Sequence, residues 1–527
     1  MSHPELRNLG RLRLVFWTGA LRACRQWPGV LSWGLVGLGV AVFVWRFIDL
    51  DLAPFVGDEP YFLDAARGQL TSGHVLTRST IVGTSGYYYG GAVFWFYGLV
   101  QLLAGPSVRV ALGAMAATVT IAQGFFGAAL ARALIPSRSW RGLVCEEGRW
   151  LLGTVLLLIA SSPYQHFWSR LAWDQLTLAV AFIVAGLVLS LPGRSFLRTL
   201  AIGGLLGIGL SSHPMLVPFA LVAGMATSLG AERPLQWRDV FGRAAVLGAA
   251  ATLVLTPWLL DLWRQRGQTG NFSHAATFTL ERALEVFRAP GSAGIEYFFD
   301  REWSAFLSSA HAPLGWQALA PLTQVLWVLL GLGGLVTGLR GGHRRIAAIG
   351  LATLVAYPLF YAWRGIPMQP HYQFPTGWAP VLGAALLLAS PSRPLRGLAL
   401  VAVLLVSAWQ VDFVVGWRAW IAERVGTRGV HYAVPLGEQT RVVAAICEHG
   451  AGPAVVSLEI VGFPSSFEYL DSISPSCAHR RVRWCAAGRQ CAAPGSDELV
   501  ARVHYAESEG ARLVVTYLHR AASTETP

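Results

Sequence analysis

The chain contains no lysine; all 41 of its basic residues are arginine. A GC-rich genome accounts for that bias, so the arginines imply no special chemistry by themselves. Charge of either sign is scarce. Only 13% of the 527 residues are charged, while 54% are hydrophobic. That balance excludes a soluble globule of this length. The formal net charge of +12 does not mark a nucleic-acid binder, because the arginines are scattered among loops between apolar runs. Orientation signals and contacts with anionic headgroups account for them better. No small-residue cleavage site follows the first apolar run, so a retained anchor is expected there. The middles of the apolar runs are nearly free of charge and the two halves show no repeat, which weighs against a transporter or flippase.

What the sequence does have is long apolar runs through its first four-fifths. Candidate spans are Pro28–Phe47, Ser107–Leu134, Trp150–Phe167, Gln175–Leu191, Thr199–Leu210, Pro214–Leu229, Ala244–Leu260, Pro321–Leu339, Ile346–Trp363, Tyr372–Ala389 and Gly397–Trp417. Runs near 20 residues can cross the hydrocarbon core as helices. The two short ones, Thr199–Leu210 and Pro214–Leu229, read as tilted helices meeting at Ser211-Ser212-His213-Pro214. About eleven spans result, so the expected fold is a mainly α polytopic bundle. The 1–27 segment mixes Arg with apolar residues and reads as an amphipathic stretch along the inner interface.

Arginine placement orients the bundle. Arg7, Arg11, Arg13, Arg22 and Arg25 precede the first span, and alternate loops carry Arg132 to Arg149, Arg194 and Arg198, Arg233 to Arg243, Arg340 to Arg345, and Arg393 and Arg396. The N-terminus is therefore expected in the cytoplasm of a bacterial inner-membrane protein. This holds only if Gly86–Gly105, long enough to span, does not cross. Its aromatic content suits an outer-face juxtamembrane or re-entrant element. The outer face then receives the first loop, 49–106, a large loop, 261–320, and everything after Trp417.

Beyond Trp417 the composition turns polar. Leu436–His449 reads as a helix, Pro453–Ile460 as a strand, Ser496–Glu509 as a helix and Arg512–Leu518 as a strand. A small extracytoplasmic α/β domain over 418–527 is expected. It holds Cys447, Cys477, Cys485 and Cys491, an even set that suits two disulfides in any of three connectivities. A metal site is the competing reading, but the spacings fit no compact zinc pattern. Cys24 and Cys145 fall on the inner side and are expected as free thiols.

Polar groups recur on the outer face. Gly57-Asp58-Glu59-Pro60 opens a short helix expected at Pro60–Arg67 and closed by Gly68. For this motif in isolation, capping by Asp58 is the simpler reading. Two adjacent carboxylates at the end of a span are also candidates for function. Arg170 and Asp174 stand one helical turn apart, suited to an ion pair or to a site. His213 sits in a helix-breaking turn. Arg364 and His371-Tyr372 flank a Pro-containing outer turn. Carboxylates facing a ring of cations and hydrogen-bond donors suit glycosyl transfer. A hydroxyl nucleophile needs a base, and a phosphate leaving group needs donors and positive charge.

In order and spacing, these motifs resemble the GT-C superfamily of membrane glycosyltransferases, over about residues 28–417. The nearest likeness is to the bacterial branch with aminoarabinose transferases of lipid A and protein O-mannosyltransferases. The residues that carry it are Pro54-Phe55-Val56-Gly57-Asp58-Glu59 with Tyr61, Ala65 and Arg67; the stretch Tyr87–Leu103; Ser107-Val108-Arg109; Ser162-Pro163, Ser169-Arg170 and Asp174; and Arg364, His371-Tyr372, Pro375 and Pro380. The resemblance implies a polyprenyl-phosphate sugar donor and a glycan, lipid or protein acceptor. It also implies Asp58 as base, Glu59 as its neighbour, Asp174 as a second acidic site, and Arg170 and Arg364 as candidates for the donor phosphate; His213, His371 and Tyr372 are expected beside them from their place on the outer face. Some members use a divalent metal ion and others do not. Many relatives place a basic residue and paired prolines where this chain reads Thr84-Ser85-Gly86-Tyr87-Tyr88-Tyr89. Here Arg78, His74 or the later arginines would take over that charge.

Overall fold

The computed structural model describes residues 28–81, 88–135, 140–173, 175–190, 195–230, 236–264, 302–364, 372, 375–428, 434–449, 452–460, 464–486, 498–506 and 511–518. The expected N-terminal amphipathic stretch, Cys24, most of the large loop 261–320 and Cys491 lie outside these residues.

The protein is a multi-pass membrane protein built mainly of helices. Among the described residues six helices are long and apolar enough to cross a bilayer: Gly29–Phe47, Val108–Leu134, Trp237–Arg264, Ala318–Arg340, Arg344–Trp363 and Arg393–Arg424. The other five expected positions are helical too, but shorter. Glu146–Ser161 breaks at Ser162, where Pro163 starts the short helix Pro163–Trp168 and the Ser162 hydroxyl accepts from Gln165 N. Leu176–Ser190, Phe196–Ser212 and Val217–Leu229 follow, with extended His213 making the expected corner between the last two. The Tyr372–Ala389 run is helical only over Trp378–Leu388, after a cap at Gly377.

Two contacts settle how the first loop is threaded. Arg109 grips Asp51 through two parallel bonds of 2.5 and 2.7 Å. The second long helix therefore begins at the same end of the bundle where the first one finished. Between them lies the helix Ala92–Ala104. At 13 residues it is about 20 Å long, short of the roughly 30 Å core. The described part of that stretch, Tyr88–Gly105, thus enters and leaves at one end. Gly86 and Tyr87 are outside the described residues.

Glycines set the closest helix crossings. A Cβ on Gly334 would collide with the Gly383 carbonyl, and one on Gly383 with the Gly331 carbonyl. Gly203 and Gly207 likewise bring Phe196–Ser212 onto the backbone of Trp237–Arg264, at Leu247 and Ala251. Without a hydrophobic drive between helices in lipid, such backbone approach is a main source of association.

The polar end of the chain forms a four-stranded sheet from β3 (Ala454–Glu459), β4 (Val482–Cys485), β5 (Leu499–Tyr505) and β6 (Leu513–Leu518), in the order β4-β3-β5-β6. β3 runs parallel to β4 and β5, and β5 antiparallel to β6. The helices Leu436–Glu448 and Pro464–Ile473 accompany it. The helix expected at Ser496–Glu509 is instead strand β5. Its burial has period two, with Ala501 and Val503 inside and Arg502 out, and β-branched residues suit that alternation.

Cys447 is disulfide-bonded to Cys477, and Cys485 is also in a disulfide. Cys145 is free and exposed. The Cys447–Cys477 bridge closes a loop of sequence separation 30, worth about 3–4 kcal/mol by loop-closure entropy. Replacing both residues by Ser is expected to lower the melting temperature of the polar end and make it protease-sensitive first. Limited proteolysis across a temperature series checks this; an unchanged cleavage temperature would count against it.

Candidate functional site

The Asp58 loop is held from three sides. The helix behind it runs Glu59–Ser72, five residues past its expected end at Arg67, and closes at Gly73 with φ 71°. Gly68 is an interior position of that helix. Asp58 occupies the N-cap, yet its side chain makes no capping bond; only its carbonyl engages the helix, accepting from Phe62 N at 2.9 Å. Its carboxyl pKa is raised by burial, and the Trp173 indole N–H facing it offsets part of that rise.

Glu59 has a different environment. It is 3% exposed, and its two oxygens accept from Val56 N at 2.9 Å and Ala172 N at 2.7 Å. It therefore clips its own loop to the segment after Pro163–Trp168. Burial pushes its pKa up to about 8, against the pull of the two backbone N–H groups, and Asp58 adds to the rise. A carboxyl whose pKa is higher folded than unfolded binds its proton more tightly when folded. Its contribution to stability is therefore full below the unfolded value of 4.5 and is lost as pH climbs to about 8. Glu59→Gln is expected to flatten this part of the profile while lowering stability throughout, since an amide cannot accept from both N–H groups. Melting temperature against pH checks the slope; equal slopes in the two proteins would overturn the assignment.

Arginines surround the start of the same loop. Buried Arg170 donates to the carbonyls of Ile48 and Asp49. Arg418, near the end of Arg393–Arg424, donates to Trp45 O at 3.2 Å, Ile48 O at 2.9 Å and Asp49 Oδ2 at 2.7 Å. Arg46 reaches Gln123 Oε1 at 2.6 Å and Ile159 O. Asp49 sits in the left-handed region at φ 52°, a conformation a non-glycine residue adopts only when its surroundings hold it. Arg170 and Arg418 supply that hold. Charge-assisted bonds to carbonyls are among the stronger ones available.

Two of the other expected residues, His213 and Tyr372, form a second cluster. His213 Nδ1 accepts from Met215 N at 2.9 Å, so its ring proton is on Nε2. Its ring lies 5.7 Å from that of Tyr372, which stacks on Tyr361 at 5.7 Å. The helix Ala92–Ala104 touches both clusters. Tyr97 Oη donates to Trp173 O at 3.1 Å, and Ala92 N donates to Ser211 Oγ at 3.3 Å. Arg78 opens β1 (Arg78–Ile81), paired with β2 (Tyr88–Gly90), and Arg364 closes the helix Arg344–Arg364. Asp174 and His371 lie outside the described residues.

Sequence reasoning missed Trp173, Tyr97, Arg46 and Arg418. Arginines at the ends of apolar runs were the available signal for the last two. It also missed how the polar end docks here. Leu436 N donates to Ala53 O at 2.9 Å, Gln439 Nε2 to Phe55 O at 3.0 Å, and Arg67 to Ser472 Oγ at 2.9 Å.

Among the described residues the one grouping of possible metal ligands is Cys447, Asp471 and Cys477. Both sulfurs are spent in the disulfide. At the Asp58 loop, both Glu59 oxygens are taken by backbone N–H groups.

No family model matches the chain, and no curated protein does. Two solved structures are similar to it. One is ArnT from Cupriavidus metallidurans in the apo state, with TM-score 0.49 and 13% identity, covering 92% of this chain and 98% of that one. The other is ArnT from Cupriavidus metallidurans bound to undecaprenyl phosphate, with TM-score 0.47 and 15% identity, covering 94% of this chain and 99% of that one.

Proposed function

We propose that the protein is an integral-membrane glycosyltransferase that moves a sugar from a polyprenyl-phosphate donor to an acceptor hydroxyl at the outer membrane face. The observation that carries this reading is the unequal use of two adjacent carboxylates. Glu59 is committed to two backbone N–H groups, while Asp58 forgoes the capping bond its position offers. A partly buried carboxylate with a raised pKa is a stronger base than a solvated one and suits an acceptor hydroxyl.

In the proposed step, Asp58 takes the acceptor's proton as the acceptor oxygen attacks the anomeric carbon. The bond from that carbon to the phosphate oxygen breaks, and the phosphate leaves with the electron pair. A single displacement of this kind inverts the anomeric centre. Trp173 orients the base. Arg170 acts through the loop it braces, by its bonds to Ile48 and Asp49 carbonyls. The phosphate contacts are assigned to the second cluster, His213 with Tyr372, together with Arg78, Arg364 and His371. Asp174 adjoins Trp173 and is assigned a supporting role in the pocket. Gln175, one residue further on, is buried and its amide has no hydrogen-bond partner among the described residues. A sugar hydroxyl would satisfy it.

Incubating the purified protein with a panel of polyprenyl-phosphate sugars and candidate acceptors tests the reading. Sugar transfer, with release of polyprenyl phosphate, is the expected result. Movement of intact lipid-linked sugar across a vesicle membrane without transfer would replace it with the transporter reading.

A further inference from the structure

The end of the bundle away from Asp58 contains a cavity of about 900 Å³. Its walls come from the last turn of Val108–Leu134, the first turns of Glu146–Ser161, the segment after Trp378–Leu388 and the first turns of Arg393–Arg424. The glycosyltransferase reading makes no use of it: Val108–Leu134 separates its two ends by about 40 Å.

The lining carries both signs of charge. Glu146 and Glu147 stand on one wall, Arg393 and Arg396 on another. No ion pair involves any of the four among the described residues. The two arginines sit at a helix N-terminus, where the backbone dipole is already positive and further positive charge is unfavourable. The cap residue there, Ser392, makes no side-chain capping bond. Two guanidiniums added to a positive helix end make a place for an anion, and a phosphate in particular. Glu146 and Glu147 stand in the first turn of their helix, where the dipole favours them, and in the same space they can accept a cation. Leu134, Leu151, Leu388 and Leu400 add apolar surface, and His343 also lines the cavity. Beside it, Leu398 is 70% exposed and Val144 61% exposed, a path for chains running out into lipid.

We propose that this cavity binds the headgroup of a zwitterionic aminophospholipid. Its phosphate lies against Arg393 and Arg396, its ammonium against Glu146 and Glu147, and its glycerol and first methylenes over the leucines. A phospholipid without the amine satisfies the arginines but leaves the carboxylates unpaired. A volume near 900 Å³ accommodates a headgroup with the start of its chains.

The test is native mass spectrometry of the full chain extracted from vesicles of equal parts phosphatidylethanolamine and phosphatidylglycerol. Phosphatidylethanolamine is expected to be retained about tenfold over phosphatidylglycerol. Arg393→Ala with Arg396→Ala is expected to lose retention of both lipids. Glu146→Gln with Glu147→Gln is expected to erase the preference while keeping phosphatidylglycerol. All four side chains are exposed enough that the variants should melt with the parent protein, which a thermal scan verifies. Equal retention of the two lipids by the parent, or full retention by the arginine variant, overturns the proposal. Displacement by free phosphoethanolamine would reassign the cavity to a soluble ligand and overturn it too.

Discussion

Asp58→Asn is expected to lower the rate of sugar transfer by about 10²–10⁴-fold, the range supplied by a positioned general base. The amide matches the carboxylate in shape but does not take a proton at neutral pH. Because Asp58 makes no side-chain capping bond, the helix Glu59–Ser72 loses nothing by the change. An unchanged melting temperature is therefore part of the expected result. The parent enzyme should gain activity as pH rises through the raised pKa of Asp58, since only the ionised form accepts the acceptor's proton. The variant should lose that limb of the profile. Asp64→Asn, an exposed carboxylate on the same helix, serves as the comparison and should leave transfer intact. A folded Asp58→Asn protein that still transfers sugar at the parental rate would end the assignment of Asp58 as base.

The second large effect concerns packing. Gly383→Ala is expected to destabilise the protein by about 1–3 kcal/mol or more, the cost of overpacking a close contact. In an ordinary helix the same change is favourable by up to about 1 kcal/mol. The sign reverses here because the added methyl meets the Gly331 carbonyl of a neighbouring helix, and backbone cannot step aside as a side chain can. Gly334→Ala meets the Gly383 carbonyl in turn and should behave the same way. Gly333, one residue away, faces open space, and Gly333→Ala should be neutral or stabilising. Thermal unfolding in detergent of the three variants side by side checks this. Equal melting temperatures for the 333 and 334 variants would show that the crossing is looser than described.

Much of the bundle was legible because lipid imposes simple rules. Apolar runs of sufficient length marked the long helices, and arginine bias implied that Gly86–Gly105 stays on one side. The Arg109–Asp51 pair brings the end of the first long helix to the start of the second. Helix ends were less legible. Gly68 looked like a stop, but Gly73 is the residue that takes the left-handed conformation. At β5 a mixed polar pattern suggested a helix, while packing against β3 and β6 imposed period two. The site was legible as a pair of carboxylates but not as a division between them. Which of the two is bound by backbone N–H groups depends on Ala172, 113 positions away along the chain. No local pattern encodes a contact of that range. Arg170 likewise stood out as a cation, while its engagement with Ile48 and Asp49 carbonyls exists only once the helices are assembled.

The docking of the polar end also sets a clock. The Phe55 carbonyl, three residues before Asp58, is bonded by Gln439, a partner 384 residues later in the chain. Ribosomes extend a chain at about 5–20 residues per second, so roughly 20–80 seconds pass between synthesis of the two. During that interval the Asp58 loop has emerged without the segment that pins its backbone. The polar end must be translated and folded before the first loop is complete, so the nascent chain is inserted well before its Asp58 loop is in its final form.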